Sequence, residues 1–168
     1  GAVVGSRKRI DGLIQTELDI FGSHLAPFPA WLLTRGMRSL KVRLKHHEAS
    51  ANTVAAWLEN RPEVEVVHHL GLSSYAQRDL VEKYMSGTGG LFSFEPKVQD
   101  PERIKAFCDA LTLFGRGVSW GGFESLVIAL PMIASGYEST RWFVRLYCGL
   151  EETEDLIRDL EQAMVHLG

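Results

Sequence analysis

One helical pattern in this chain runs farther than a domain of its size can accommodate. Apolar residues recur with helical spacing at Leu33, Met37, Leu40, Leu44, Ala51, Val54, Ala55 and Leu58, up to the stop at Asn60-Arg61-Pro62. From Ala30 to Asn60 this is about 31 residues, or about 46 Å at 1.5 Å per residue. A compact body of 168 residues has a diameter of only about 40 Å. A helix that overshoots its own domain joins two bodies. Gly36 is the weak point near the junction, and the chain is divided here into residues 1–37 and residues 38–168.

Before the long helix, Arg7 to Phe21 has helical spacing at Ile10, Leu13, Ile14 and Leu18, with Gly22 as its stop. Pro27-Phe28-Pro29 then forms a rigid bend, and Pro29 suits a first helical turn. After the long helix the pattern changes. Val64 to His68 reads as a short strand, and Ser74-Tyr75-Ala76-Gln77 reads as a capping box opening a helix to about Met85. The turn Gly87-Thr88-Gly89-Gly90 leads into the alternating stretch Leu91 to Phe94. Asp100-Pro101-Glu102 opens a helix carrying Ile104, Phe107, Ala110 and Leu111. Ser125 to Leu130 and Trp142 to Cys148 are β-like. A last helix places Leu156, Ile157, Leu160, Met164 and Leu167 on one face. Without regular βαβ alternation, these elements predict an α+β fold: a long helix leading into a small, largely antiparallel sheet with helices on one side.

Hydrophobic residues make up 45% and charged residues 23%, which excludes wholesale disorder. A net charge of −3 attracts neither nucleic acid nor an anionic membrane. No apolar run approaches a membrane span of about 20 residues. Cys108 and Cys148 fit neither a disulfide framework nor a zinc site, so a cytoplasmic protein is expected.

Few residues carry a chemical signal. Arg35, Arg38, Lys41, Arg43 and Lys45, with His46 and His47, form the one basic cluster. They lack interleaved aromatics and read as a solvated or inter-domain charge set. The pairs His46-His47 and His68-His69 have no metal-ligand spacing, and no metal is expected. The Gly87-Thr88-Gly89-Gly90 turn could offer N–H groups to a phosphate, but it precedes a strand and reads better as a tight turn. Arg145 is sharper. Alternation along Trp142 to Cys148 puts Phe143, Arg145 and Tyr147 on one strand face. A guanidinium there must find an anion: either a ligand carboxylate or a structural partner among Glu124, Glu138 and Glu151. Ser119-Trp120-Gly121-Gly122 reads as a turn opening a strand or as a close backbone approach to a ligand.

Ordered motifs then add a resemblance. Ser119-Trp120-Gly121-Gly122-Phe123-Glu124-Ser125-Leu126 is followed by Val144-Arg145-Leu146-Tyr147-Cys148-Gly149-Leu150-Glu151, Glu154-Asp155-Leu156-Ile157 and Asp159-Leu160-Glu161. Together with Thr34 to Leu40 and Gly87 to Phe94, this series resembles the end of the Cys/Met-metabolism pyridoxal-phosphate enzymes. Trp120 resembles the cystathionine β-lyases, because cystathionine γ-synthases and methionine γ-lyases more often carry leucine there. Val118 stands where many β-lyases have tyrosine, so no active-site role is carried to that position.

The resemblance implies the C-terminal domain of a fold-type I enzyme that cleaves the C–S bond of cystathionine with pyridoxal 5'-phosphate, a cofactor whose ring is the electron sink. It implies that Arg145 binds the substrate carboxylate and that Ser119 and Trp120 line the same site. It makes residues 1–37 the tail of a large cofactor-binding domain. Lys8, Lys41, Lys45, Lys83, Lys97 and Lys105 lie outside the family's Schiff-base motif, whose lysine falls upstream of the segment matching Gly1 to Val4. The chain is thus expected to hold no catalytic and no cofactor-binding residue, to be inactive alone, and to need the missing N-terminal part. Homo-oligomerisation and a small amino-acid substrate are also implied. The competing readings are a cystathionine γ-synthase or methionine γ-lyase of the same family, and a non-catalytic small-domain remnant acting as a binding or assembly module.

Overall fold

The computed structural model describes residues 3–22, 24–133 and 139–168. Gly1, Ala2 and Glu138, named above, lie outside the described residues. Two compact units emerge, Gly1–Leu40 and Lys41–Gly168.

In the first unit, α1 (Arg7–Leu13) continues through a π-helical turn (Ile14–Leu18) into α2 (Asp19–Phe21), and α3 spans Pro27–Arg38. The long helical stretch is divided at Ser39. Its φ of −100° and ψ of 0° leave the helical region. The Ser39 hydroxyl donates to the Gly36 carbonyl at 3.2 Å, competing locally with the helical ladder. The continuation, α4 (Leu40–Glu59), has 20 residues. At about 30 Å it fits within a single body, so the overshoot disappears once the helix is cut.

The second unit holds β1 (Val64–His68), α5 (Arg78–Tyr84), β2 (Leu91–Pro96), α6 (Pro101–Ala110), β3 (Gly115–Arg116), β4 (Leu126–Met132), β5 (Arg141–Tyr147) and α7 (Thr153–Ala163). The strand order is β1-β2-β5-β4-β3. All pairings are antiparallel except the short β3–β4 contact. This is the mixed, largely antiparallel sheet that the pattern predicts. The two-residue β3 has no periodicity to read and is an addition to it. Ser74 opens no capping box. Its hydroxyl turns to Glu59, and α5 starts four residues later, without a side-chain cap on Gln77. The Asp100 cap is as expected: its Oδ1 accepts from Glu102 N at 3.0 Å, with Pro101 in the first turn.

One sheet face carries the core. Phe92, Phe94, Val127, Val144 and Leu146 meet Ala51, Val54, Ala55 and Leu58 of α4, Ile104 and Phe107 of α6, and Leu156 and Leu160 of α7. Phe94 and Phe107 pack edge to face at 6.0 Å. Burying this side of β5 sends Phe143, Arg145 and Tyr147 to the other side. There His68, Ser93, Arg145 and Ile128 are aligned across four strands.

Candidate functional site

The segment from Gly117 to Glu124 connects β3 to β4, and its carbonyls are tied down one after another. Arg145 Nη2 donates to Val118 O at 2.7 Å, Arg43 Nη1 to Gly121 O at 3.0 Å, and Tyr147 Oη to Gly122 O at 3.1 Å. Leu150 N donates to Phe123 O at 2.7 Å. Gly121 adopts φ +87°, a conformation that glycine reaches without a Cβ penalty. With its carbonyls held by the body of the protein, the loop leaves Ser119 exposed and Trp120 65% exposed.

A second layer supports the loop. Glu151 accepts from Ser125 N at 2.9 Å and from Ser125 Oγ at 2.7 Å, and Ser125 Oγ accepts from Gly149 N at 2.8 Å. That network decides part of the Arg145 question. Glu151 is occupied by Ser125, and among the described residues Arg145 makes no ion pair. Arg145 is half-buried, and its one hydrogen bond to Val118 O leaves most of its five N–H donors available. The strand and the loop therefore meet through the backbone of position 118, where the motif alone suggested no role.

The other sequence candidates resolve into structure. The Gly87 to Gly90 turn already holds a carboxylate, because Glu48 Oε1 accepts from Thr88 N at 2.8 Å and Thr88 Oγ1 at 3.2 Å. His47 is buried rather than part of a solvated charge set, with Nδ1 2.9 Å from Gly149 O. His46 Nε2 lies 3.4 Å from Glu151 O, and His69 Nδ1 accepts from Gly71 N at 2.9 Å. Burial holds the His69 imidazole below its usual range, against the opposing pull of Glu48. Among the described residues no three His, Cys, Asp or Glu side chains form a metal cluster. Burial pushes the Cys108 thiol up to about 11 and the Cys148 thiol up to about 12, so neither supplies a thiolate nucleophile near neutrality. No described helix is long and apolar enough to cross a membrane.

Sequence reasoning missed one polar arrangement on the Arg145 face. The fully buried Glu95 receives His68 Nε2 at 2.6 Å on one oxygen and Arg141 Nε at 2.9 Å on the other. Alternation along β2 placed Glu95 no differently from a solvent-facing residue, so only its partners reveal it. A cavity of about 480 Å³ also lies beside α6, lined by Cys108, Arg116, Val127, Ala129 and Trp142 among others. Gly117, at the start of the loop, lines it, whereas Ser119, Trp120 and Arg145 do not.

Comparison with known proteins shows the family. The family profile described as Cys/Met metabolism PLP-dependent enzyme matches residues 1–165. The chain belongs to this family. An L-methionine gamma-lyase of Pseudomonas putida is 37% identical over 98% of the chain and 44% of its own length. A cystathionine beta-lyase of Salmonella typhimurium is 38% identical over 84% of the chain and 38% of its own length. A crystal structure from Campylobacter jejuni, described as an O-acetylhomoserine (thiol)-lyase with N'-pyridoxyl-lysine-5'-monophosphate, superposes with a TM-score of 0.81. It is 35% identical and covers 96% of this chain and 38% of that one. The chain thus spans about two fifths of the length of these relatives.

The Cys/Met-metabolism family depends on pyridoxal phosphate, and the described residues do not fit the cofactor itself. The six lysines are all exposed, whereas a lysine nucleophile of this kind is activated in an apolar pocket or beside another cation. The glycine-rich turn that could have cradled a phosphate is filled by Glu48. What the described residues offer is a guanidinium beside a loop whose carbonyls are hydrogen-bonded at Val118, Gly121 and Gly122.

Proposed function

We propose that this chain supplies the substrate-carboxylate side of a pyridoxal-phosphate-dependent carbon–sulfur lyase of the cystathionine β-lyase type. In this reading Arg145 grips the α-carboxylate, while Ser119 and Trp120 form the adjoining wall. The observation that carries it is Arg145. It is a half-buried arginine that lacks a carboxylate partner among the described residues and is aimed by one hydrogen bond at Val118 O. A guanidinium so placed keeps an N–H fork for a two-oxygen ligand. Trp120 favours β-lyase chemistry within the family. The parent protein is then an oligomeric amino-acid-metabolising enzyme, and this chain by itself does not turn over cystathionine.

Arg145→Lys in the holoenzyme tests the reading. Lysine keeps the charge and loses the planar fork. A charge-assisted contact of about 1.5–3 kcal/mol implies a fall in kcat/KM of at least about tenfold. Unchanged kcat/KM with a lowered melting temperature would instead make Arg145 a structural residue. The released oxo acid tests the second assignment: pyruvate from cystathionine marks β-cleavage. A four-carbon oxo acid would move the enzyme to the γ-lyase type, which the Pseudomonas putida relative supports at similar identity.

A further inference from the structure

Two residues without an assigned role hold the middle of the Ser119–Trp120 loop. Arg43 reaches it from the first turns of α4, 78 positions away in sequence, and Tyr147 from the end of β5, 25 positions away. Their acceptors, Gly121 O and Gly122 O, immediately follow Trp120. Tyr147 is 4% exposed, and its ring lies 5.3 Å from that of His47. Burial raises the phenol above its ordinary range, so it remains a hydrogen-bond donor at all working pH values. Val118 O on the other flank is held by Arg145. The loop is therefore fixed on both sides of Ser119 and Trp120, by the arginine assigned to the carboxylate on one side and by Arg43 and Tyr147 on the other.

We infer that Arg43 and Tyr147 are positioning residues for substrate recognition, setting where Ser119 and Trp120 stand relative to Arg145. This inference rests on the reading of the loop as one wall of the substrate site. The physical reason is preorganisation. A loop with a glycine pair samples many conformations, and binding to an unrestrained loop must supply the cost of ordering it. Donors that grip consecutive carbonyls meet that cost during folding, and they leave the side chains of the loop facing outward. Because neither residue's bond to the loop involves a loop side chain, the pair can serve any substrate that Arg145 and the loop wall accept.

The test uses three holoenzyme variants. Tyr147→Phe keeps the ring against His47 and removes one hydroxyl. Arg43→Met removes the guanidinium donors, and Arg43→Lys returns one. Losing either bond should raise KM for cystathionine roughly three- to tenfold, with kcat little changed. Arg43→Lys should recover most of the loss. Backbone hydrogen exchange across 118–124 should accelerate in both loss variants while β5 keeps its protection. Wild-type KM and wild-type exchange in both variants would overturn the inference. So would faster exchange with an unchanged KM, provided that Arg145→Lys, measured alongside, is impaired. Impaired Arg145→Lys with silent loop variants therefore rejects the positioning role alone. Unimpaired Arg145→Lys rejects the carboxylate reading, and exchange at 118–124 then decides by itself whether Arg43 and Tyr147 order the loop.

Discussion

Gly149 shows how strictly a single residue can be fixed by what crosses over it. A Cβ there would stand 2.2 Å from Phe123 O and 2.5 Å from Glu124 C, both backbone atoms that cannot swing aside. The residue also donates to Ser125 Oγ and offers its carbonyl to His47. Gly149→Ala must displace the end of the Ser119–Trp120 loop, at a cost of about 2–3 kcal/mol, the upper part of the range for overpacking. Chemical denaturation should show that loss, and on the proposed reading of the loop the surviving folded protein should also bind substrate more weakly. Unchanged stability would mean that the loop tolerates the shift. The same residue scale separates what the sequence discloses from what it hides. Arg145 was legible because alternation along β5 needs only its neighbours. Arg43 and Tyr147 were not, because their partners are loop carbonyls, and a carbonyl has no residue type to read. Glu95 was hidden for a related reason, since strand periodicity says which face a carboxylate takes and nothing of the cations that cover it.

At the level of elements, polar side-chain bonds sit at two of the boundaries that moved, while α3 began three residues early, at Pro27 where a bend was expected, with no side-chain cap. Ser39 took a backbone carbonyl and cut the long helix. Ser74 took Glu59 and left α5 to start later. Hydrophobic periodicity predicted the longer elements, though not the two-residue β3, and these competing bonds lie at the limits of two helices. Asp159 of α7 is the strongest case. Its Oδ1 accepts from Thr112 N at 2.8 Å and Thr112 Oγ1 at 2.7 Å, while Oδ2 accepts from Leu113 N at 2.8 Å and Phe114 N at 3.2 Å. This one carboxylate ties the turn after α6 to α7. Burial pushes its pKa up, but the hydrogen bonds from Thr112, Leu113 and Phe114 outweigh burial and hold it below the ordinary value. A depressed native pKa stabilises the fold above the unfolded value of about 3.9, and that contribution is lost as pH falls through the native pKa. Asp159→Asn, which turns an acceptor into an N–H donor facing other N–H groups, should cost about 2–3 kcal/mol at neutral pH. The gap between the melting curves of the two proteins should begin to narrow below about pH 4 and close as pH falls through the depressed native pKa. A gap that stays constant into acid would show that the charge of Asp159 contributes nothing.

For the molecule as a whole, the two units differ in what holds them together. Among the described residues, every member of the hydrophobic core lies between Ala51 and Leu167. No described residue of Gly1–Leu40 is buried, while Ile20 is 71% exposed, Phe21 77%, Phe28 67% and Met37 64%. The Phe28–Trp31 stack, with ring centres 6.0 Å apart, is a pairing within one helix and not a core. Residues 41–168 should therefore fold without the first unit, since their core, sheet and supporting hydrogen bonds come from within that segment. Removing residues 1–40 should leave a cooperative melt at nearly the same temperature, because the described core residues all lie in the retained segment. The apolar side chains of the first unit have the opposite effect on association, since exposed patches of this kind bind other surfaces or one another. The 168-residue chain should show an apparent mass that climbs with concentration on size-exclusion chromatography, while residues 41–168 elute at a constant position. Calorimetry and chromatography on the pair separate the two roles. A melting temperature lowered by many degrees in the shorter chain would mean that the first unit takes part in the core after all. Equal, concentration-independent elution of both would mean that its apolar residues are not an adhesive surface.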